Sequence, residues 1–136
     1  MASYMDRLLA NLNRNAPASA AAVELFERQL GVKLPPEYVE FLTITNGGEG
    51  FVGKSAYVIL WAIGELASMN QAYEVQTYVA GLLIFGSDGG GEAFSFDTRN
   101  PRWPIVQVPF IGMAWDVAQP MGMTFREFLE HLHEIE

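Results

Sequence analysis

Residues 82–97, Leu82-Leu83-Ile84-Phe85-Gly86-Ser87-Asp88-Gly89-Gly90-Gly91-Glu92-Ala93-Phe94-Ser95-Phe96-Asp97, place the tightest constraint on the fold. Four consecutive large apolar residues make a run short enough for a buried strand. A glycine-rich break follows. The chain then alternates, with Phe94 and Phe96 on one face and Ala93, Ser95 and Asp97 on the other. This order predicts a β-hairpin at the centre of a sheet. Gly89 to Gly91 supply the positive φ that hairpin turns require, with the left-handed position open among the three and Gly90→Val expected to be markedly destabilising. Asp88 can close an Asx turn on its own backbone.

The 136 residues are most simply one domain, residues 1–136. Nine Phe, five Tyr and three Trp, in a chain that is 50% hydrophobic, suffice for a substantial core. Sixteen acidic residues against eight basic ones give a net charge of −8. That balance disfavours nucleic acid and anionic membranes and favours a basic partner or plain solubility. With no cysteine, disulfides, thiolate zinc sites and thiol catalysis are excluded. A reducing compartment is compatible. The first fifteen residues lack the apolar run of a signal peptide, and no stretch reaches the length of a membrane span.

Met5, Leu8, Leu9 and Leu12 form one stripe of a first short helix, which Asn13 to Pro17 break. Ser19 is the expected cap of a second helix with Val23, Phe26 and Leu30 facing inward and Gly31 at its end. Pro36 suits the first turn of a third, whose stripe is Tyr38, Phe41, Leu42 and Thr45. Asn46-Gly47-Gly48 should end it. Residues 57–63 read as a strand and 64–76 as a helix. Residues 104–109 read as a strand with prolines at its limits. Residues 111–123 are expected to be loop with one short strand. Thr124-Phe125-Arg126-Glu127 is a capping box opening a last helix with Phe125, Phe128, Leu129 and Leu132 inside. The fold class is α+β: one domain, a mostly antiparallel sheet around the glycine-turn hairpin, packed by several helices.

Gly48-Glu49-Gly50-Phe51-Val52-Gly53-Lys54-Ser55 satisfies the phosphate-cradling P-loop pattern. Context argues against it, since a P-loop follows a strand and opens a long helix. Here an expected helix precedes, and an apolar run without helical period follows. A helix end and a glycine-rich loop leading into a strand is the competing reading. The second cluster, Gly86 to Gly91, lacks both the lysine and the hydroxyl. Asp88, Glu92 and Asp97 lack the alternating ligands of a calcium loop, so no metal and no cofactor is expected. His131 and His133 lie two apart on the last helix and are read as solvated. Trp103, in a polar loop, is the tryptophan expected to be most exposed.

Two stretches together carry a resemblance. Leu34-Pro35-Pro36-Glu37-Tyr38-Val39-Glu40-Phe41-Leu42 with Thr45-Asn46-Gly47-Gly48-Glu49-Gly50 resembles the "LPxxYxxFL…xNGGxG" signature of the SUKH superfamily (Smi/Knr-type). Residues 84–97 resemble its "GxDGGGExYxFD" hairpin. The similarity spans about residues 19–132. It implies one α+β domain acting as a binding module without catalytic residues. Most bacterial members are immunity proteins that neutralise polymorphic or contact-dependent toxin domains, often nucleases, and a fungal branch scaffolds cell-wall synthesis and signalling. Pro35, Asn46, Gly47, Gly86, Asp88, Gly90 and Glu92 are then structural positions.

The expectation is therefore a cytoplasmic, non-catalytic immunity protein with a basic toxin domain as partner, and neither nucleic acid nor membrane. A scaffold or regulatory domain is the alternative, and a P-loop nucleotide-binding protein is a distant third. Glu49, Asp88, Glu92 and Asp97, exposed acids near the glycine loops, are the candidate partner contacts. Oligomeric state is not legible.

Overall fold

The computed structural model describes residues 3–135. Among them, seven strands form one antiparallel sheet in chain order: β1 (Leu12–Arg14), β2 (Gly48–Val52), β3 (Ala56–Leu60), β4 (Leu82–Ser87), β5 (Glu92–Asp97), β6 (Ile105–Pro109) and β7 (Gln119–Gly122). The helices are α1 (Tyr4–Leu8), α2 (Ala20–Leu30), α3 (Pro36–Ile44), α4 (Ile63–Ala72), α5 (Val75–Tyr78) and α6 (Phe125–His133). The α+β class and the central β4–β5 hairpin stand as expected.

The core grows from that hairpin. Phe85, Phe94 and Phe96 meet Tyr38 and Phe41 of α3 and Phe125 and Phe128 of α6 in one ring cluster. Ring centroids lie 4.6–6.0 Å apart, mostly tilted or edge-on, as aromatic quadrupoles prefer. Burial pushes the Tyr38 phenol far above its ordinary pKa. Ala93 and Ser95, which alternate with the phenylalanines, are also fully buried, so the middle of the sheet is covered on both faces. The capping hydroxyls of Ser19 and Thr124 accept from Ala22 N and Glu127 N at 3.1 Å, as the sequence predicts. Pro35 stands at the cap of α3 with Pro36 in its first turn.

β3 leaves β4 early. After Ile59↔Ser87 and Leu60↔Gly86, one further bond joins Trp61 N to Phe85 O. The rest of the β4 edge is satisfied by side-chain amides. Asn70 of α4 accepts from Ile84 N at 2.8 Å and donates to Ile84 O at 2.9 Å and Leu66 O at 2.8 Å. Gln76 of α5 donates to Leu82 O and accepts from Gly81 N. Two amides thus complete an edge that would otherwise bury unpaired backbone groups.

Several expectations need correction. Leu12 is buried but belongs to β1, because α1 ends at Leu8. Residues 48–52 form a strand, not a loop. Gly48 and Gly50 let β1 lie close, and a Cβ at Gly48 would sit 2.7 Å from Asn13 O. The P-loop-like octapeptide is therefore a β2–β3 hairpin, with Lys54 and Ser55 in its turn and a strand after them. That overturns the nucleotide-cradle geometry. The strand expected at 57–63 ends at Leu60, and Ile63 opens α4. The helix expected at 64–76 divides at Glu74, whose φ is +52°. Leu30 is exposed and lines a groove of about 890 Å³ beside α4 and α5. Residues 111–123 are loop with one short strand, β7, as expected, and add a 3-10 turn, Trp115–Val117. His133 is half-buried, its Nε2 2.7 Å from the Leu8 carbonyl at the end of α1. Trp103, against Phe96, is half-buried like Trp115, while Trp61 is buried, so the expected order of the tryptophans is not overturned. No helix among the described residues is long and apolar enough to cross a membrane.

Candidate interaction surface

The sequence nominated four acids, and the sheet register separates them. Glu49 pairs with Ile59, Ile59 with Ser87, and Ser87 with Ala93. Glu49 therefore shares one end of the sheet with the β4–β5 turn that carries Asp88 and Glu92. Asp97 closes the other end of β5, roughly 17 Å away at ~3.3 Å per residue.

Each acid has different work in the fold. Asp88 Oδ1 accepts from Gly90 N at 2.8 Å and Glu92 N at 3.2 Å, the Asx arrangement anticipated from sequence. Glu92 is half-buried and accepts from Gln107 Nε2 at 3.2 Å. Asp97 accepts from Arg99 N, Nε and Nη2, and these bonds hold its carboxyl below the usual carboxylate range. The Arg99 guanidinium lies 3.5 Å from the centroid of the Trp115 ring. Glu49 is exposed and accepts from the Tyr57 hydroxyl, a bond that raises the phenol's pKa. Of the four, Glu49 alone is exposed; Asp88, Glu92 and Asp97 are half-buried, and each is hydrogen-bonded within the fold.

What the sequence did not single out is the apolar surface beside Glu49 and the 88–91 turn. Phe51 and Tyr57 pair across β2–β3 with ring centroids 5.3 Å apart. Tyr57 abuts the β4–β5 turn, where a Cβ at Gly89 would sit 2.9 Å from its ring. Beyond Ile59 a groove of about 490 Å³ runs between Trp61, Met69 and Tyr73 on one side and the 109–111 segment on the other. Tyr73 and Phe110 close it, 4.7 Å apart. Phe51, Tyr73 and Ile111 are 44%, 40% and 94% exposed. Strand alternation carries the signal: Gly48, Gly50 and Val52 turn inward and Glu49 and Phe51 outward. Reading 48–52 as a loop hid it.

The sequence model of the SMI1 / KNR4 family (SUKH-1) matches residues 17–131. The chain belongs to this family. The resemblance drawn from the two glycine motifs is therefore correct, and both motifs fall inside the match. A comparison with curated proteins gives no match. In this SMI1 / KNR4 (SUKH-1) protein, α1 and β1 precede the matched span. They add the outer strand beside β2 and a helix packed on α6.

The motif residues now have physical roles. Asn46 Oδ1 accepts from Ile63 N at 2.8 Å, joining the end of α3 to the start of α4. At Gly86 a Cβ would stand 2.6 Å from Ile59 O, so β3 and β4 cross too closely there for any side chain. The left-handed glycine of the turn is Gly89, with φ +82°, and not Gly90. Gly90→Val should therefore lose less than about 1 kcal/mol, as surface substitutions away from special backbone usually do. Gly89→Val combines a positive φ with the Tyr57 ring and should lose about 2 kcal/mol or more. Urea unfolding of the two variants checks the assignment, and equal losses would refute it.

Proposed function

We propose that this SMI1 / KNR4 (SUKH-1) protein is a non-catalytic binding module that acts in the cytoplasm as an immunity protein, neutralising a cognate toxin domain with a basic surface. The observation that carries the reading is the family match, which spans both glycine motifs and the strands between them. The net charge of −8 supports a basic partner. An acidic inhibitor meets a nucleic-acid-cleaving domain quickly and competes with its phosphate substrate.

Co-expression with a toxin domain encoded by a neighbouring gene tests the function: growth should be restored. Binding without rescue would assign the protein to scaffolding instead. Stopped-flow association tests the charge argument. The on-rate should fall by roughly tenfold or more between about 50 and 500 mM salt while the off-rate changes little, because screening shortens the steering field. An on-rate indifferent to salt would sink the electrostatic account and leave immunity standing.

A further inference from the structure

The binding-protein reading does not say where a partner sits. We propose that it docks on the face formed by Phe51, Tyr57, Ile59, Tyr73, Phe110 and Ile111. The occupant is a basic protein that inserts an apolar side chain beside the 87–91 turn and sets lysine or arginine against the bordering carboxylates. This inference rests on the reading above and adds a surface and a partner chemistry to it.

Two independent features converge. The first is the exposed aromatic and aliphatic content. The Tyr73–Phe110 pair lines a groove with Ile111 almost fully exposed at its lip, and the Phe51–Tyr57 pair lies beside it, Tyr57 against Gly89 of the groove wall. Aromatic anchors at a concave, rimmed patch are where binding energy concentrates. Tyr57 is held by Glu49 and by contact with the turn, so one anchor is already ordered before binding.

The second feature is charge. Between Lys54 and Arg99 the chain contains no lysine or arginine, but it carries Glu65, Glu74, Asp88, Glu92 and Asp97. That cation-free stretch supplies β3, α4 and the β4–β5 turn, which line most of this groove. The 109–113 segment has no charged residue. Glu49 lies in register beside Ile59, Asp88 precedes the turn glycines, and Glu74 follows Tyr73. Lys54 stands at the outer end, in the turn beyond Phe51 and Tyr57. The charges that border the groove in register and along the chain are therefore carboxylates, Glu49, Asp88 and Glu74, which favours a cationic occupant over an acidic one or a second copy of this chain.

The experiment uses the full chain and a purified basic toxin domain from a neighbouring gene. Ile111→Arg and Glu49→Lys should each weaken binding tenfold or more. Met123→Arg is the control. It adds the same charge at an exposed residue beyond the opposite end of β6, since Gly122 pairs with Ile105, and it should change affinity less than twofold. Unchanged affinity in both face variants overturns the surface while leaving immunity intact. If the toxin domain does not bind at all, the immunity reading falls, and a photo-crosslinking residue at position 111 in the producing cells decides the surface alone. A crosslinked protein identified as basic, and lost on Glu49→Lys, upholds the proposal. A crosslink to the chain itself, to an acidic protein, or to nothing overturns it.

Discussion

Gly47→Ala should cost about 2–5 kcal/mol, more than any other single methyl added to this chain. Gly47 sits at φ +78°, and a Cβ there would lie 2.4 Å from Leu60 O and 2.8 Å from Ala62 N. The left-handed backbone alone costs an alanine about 1–2 kcal/mol. The clash adds about 1–3 kcal/mol, because a backbone segment must move rather than a flexible side-chain end. Gly31 separates the two contributions. Its φ is +79° and nothing lies within 4 Å of a Cβ there, so Gly31→Ala should show the backbone cost alone. Urea unfolding of both variants measures the difference. Equal losses would mean that the 60–62 segment yields freely and that the close approach to the end of α3 is no constraint.

Asn70→Leu should cost a similar amount, about 2–5 kcal/mol. Leucine fills the space but strips Ile84 of partners on both its N–H and its C=O inside the protein. Each buried backbone group left unpaired costs about 1–3 kcal/mol. Asn70→Asp makes the argument sharper. An ionised carboxylate still accepts from Ile84 N but faces the carbonyls of Ile84 and Leu66. Only the protonated acid can donate. Its folded-state pKa should therefore rise above the unfolded ~3.9. The folded form then holds more protons between the two values, so the variant loses stability as pH climbs from about 4 toward the folded pKa and regains it on acidification. A melt series from pH 4 to 7 reads this directly. A variant equally stable throughout would show that Asn70 does not close the strand edge.

The same two sites explain what the sequence could and could not reveal. The β4–β5 hairpin, the Ser19 and Thr124 caps and the stripes of α3 and α6 were legible because each depends on local spacing: a turn between strands, a hydroxyl before a helix, a 3.6-residue period. Asn70 was not legible. Its work depends on β3 departing from β4 and on α4 passing alongside, and neither is encoded near residue 70. β2 was missed because glycines at 48 and 50 look like loop, whereas in the fold they mark the close approach of β1. That error carried into the choice of candidate partner contacts. With 48–52 read as a loop, Phe51 had no face, Tyr57 had no partner, and the acids were the only visible candidates. His133 was misplaced for a related reason: its partner, the Leu8 carbonyl, lies across the chain from it.

The sheet also restricts how anything can attach to this protein. Its outer strands are β1, three residues long, and β7, four residues long with Pro120 inside it and an irregularity against β6. Neither presents a row of free backbone donors and acceptors long enough to template a foreign strand, and a proline interrupts the one on β7. Recognition by strand addition is thereby closed off. So is the edge-to-edge polymerisation to which an exposed aromatic face would otherwise predispose a β-rich protein. A partner must read side chains, and side chains on a sheet face can be exchanged without disturbing the backbone that holds them. A lineage of such proteins can therefore change what it recognises while the hairpin, caps and ring cluster beneath stay fixed.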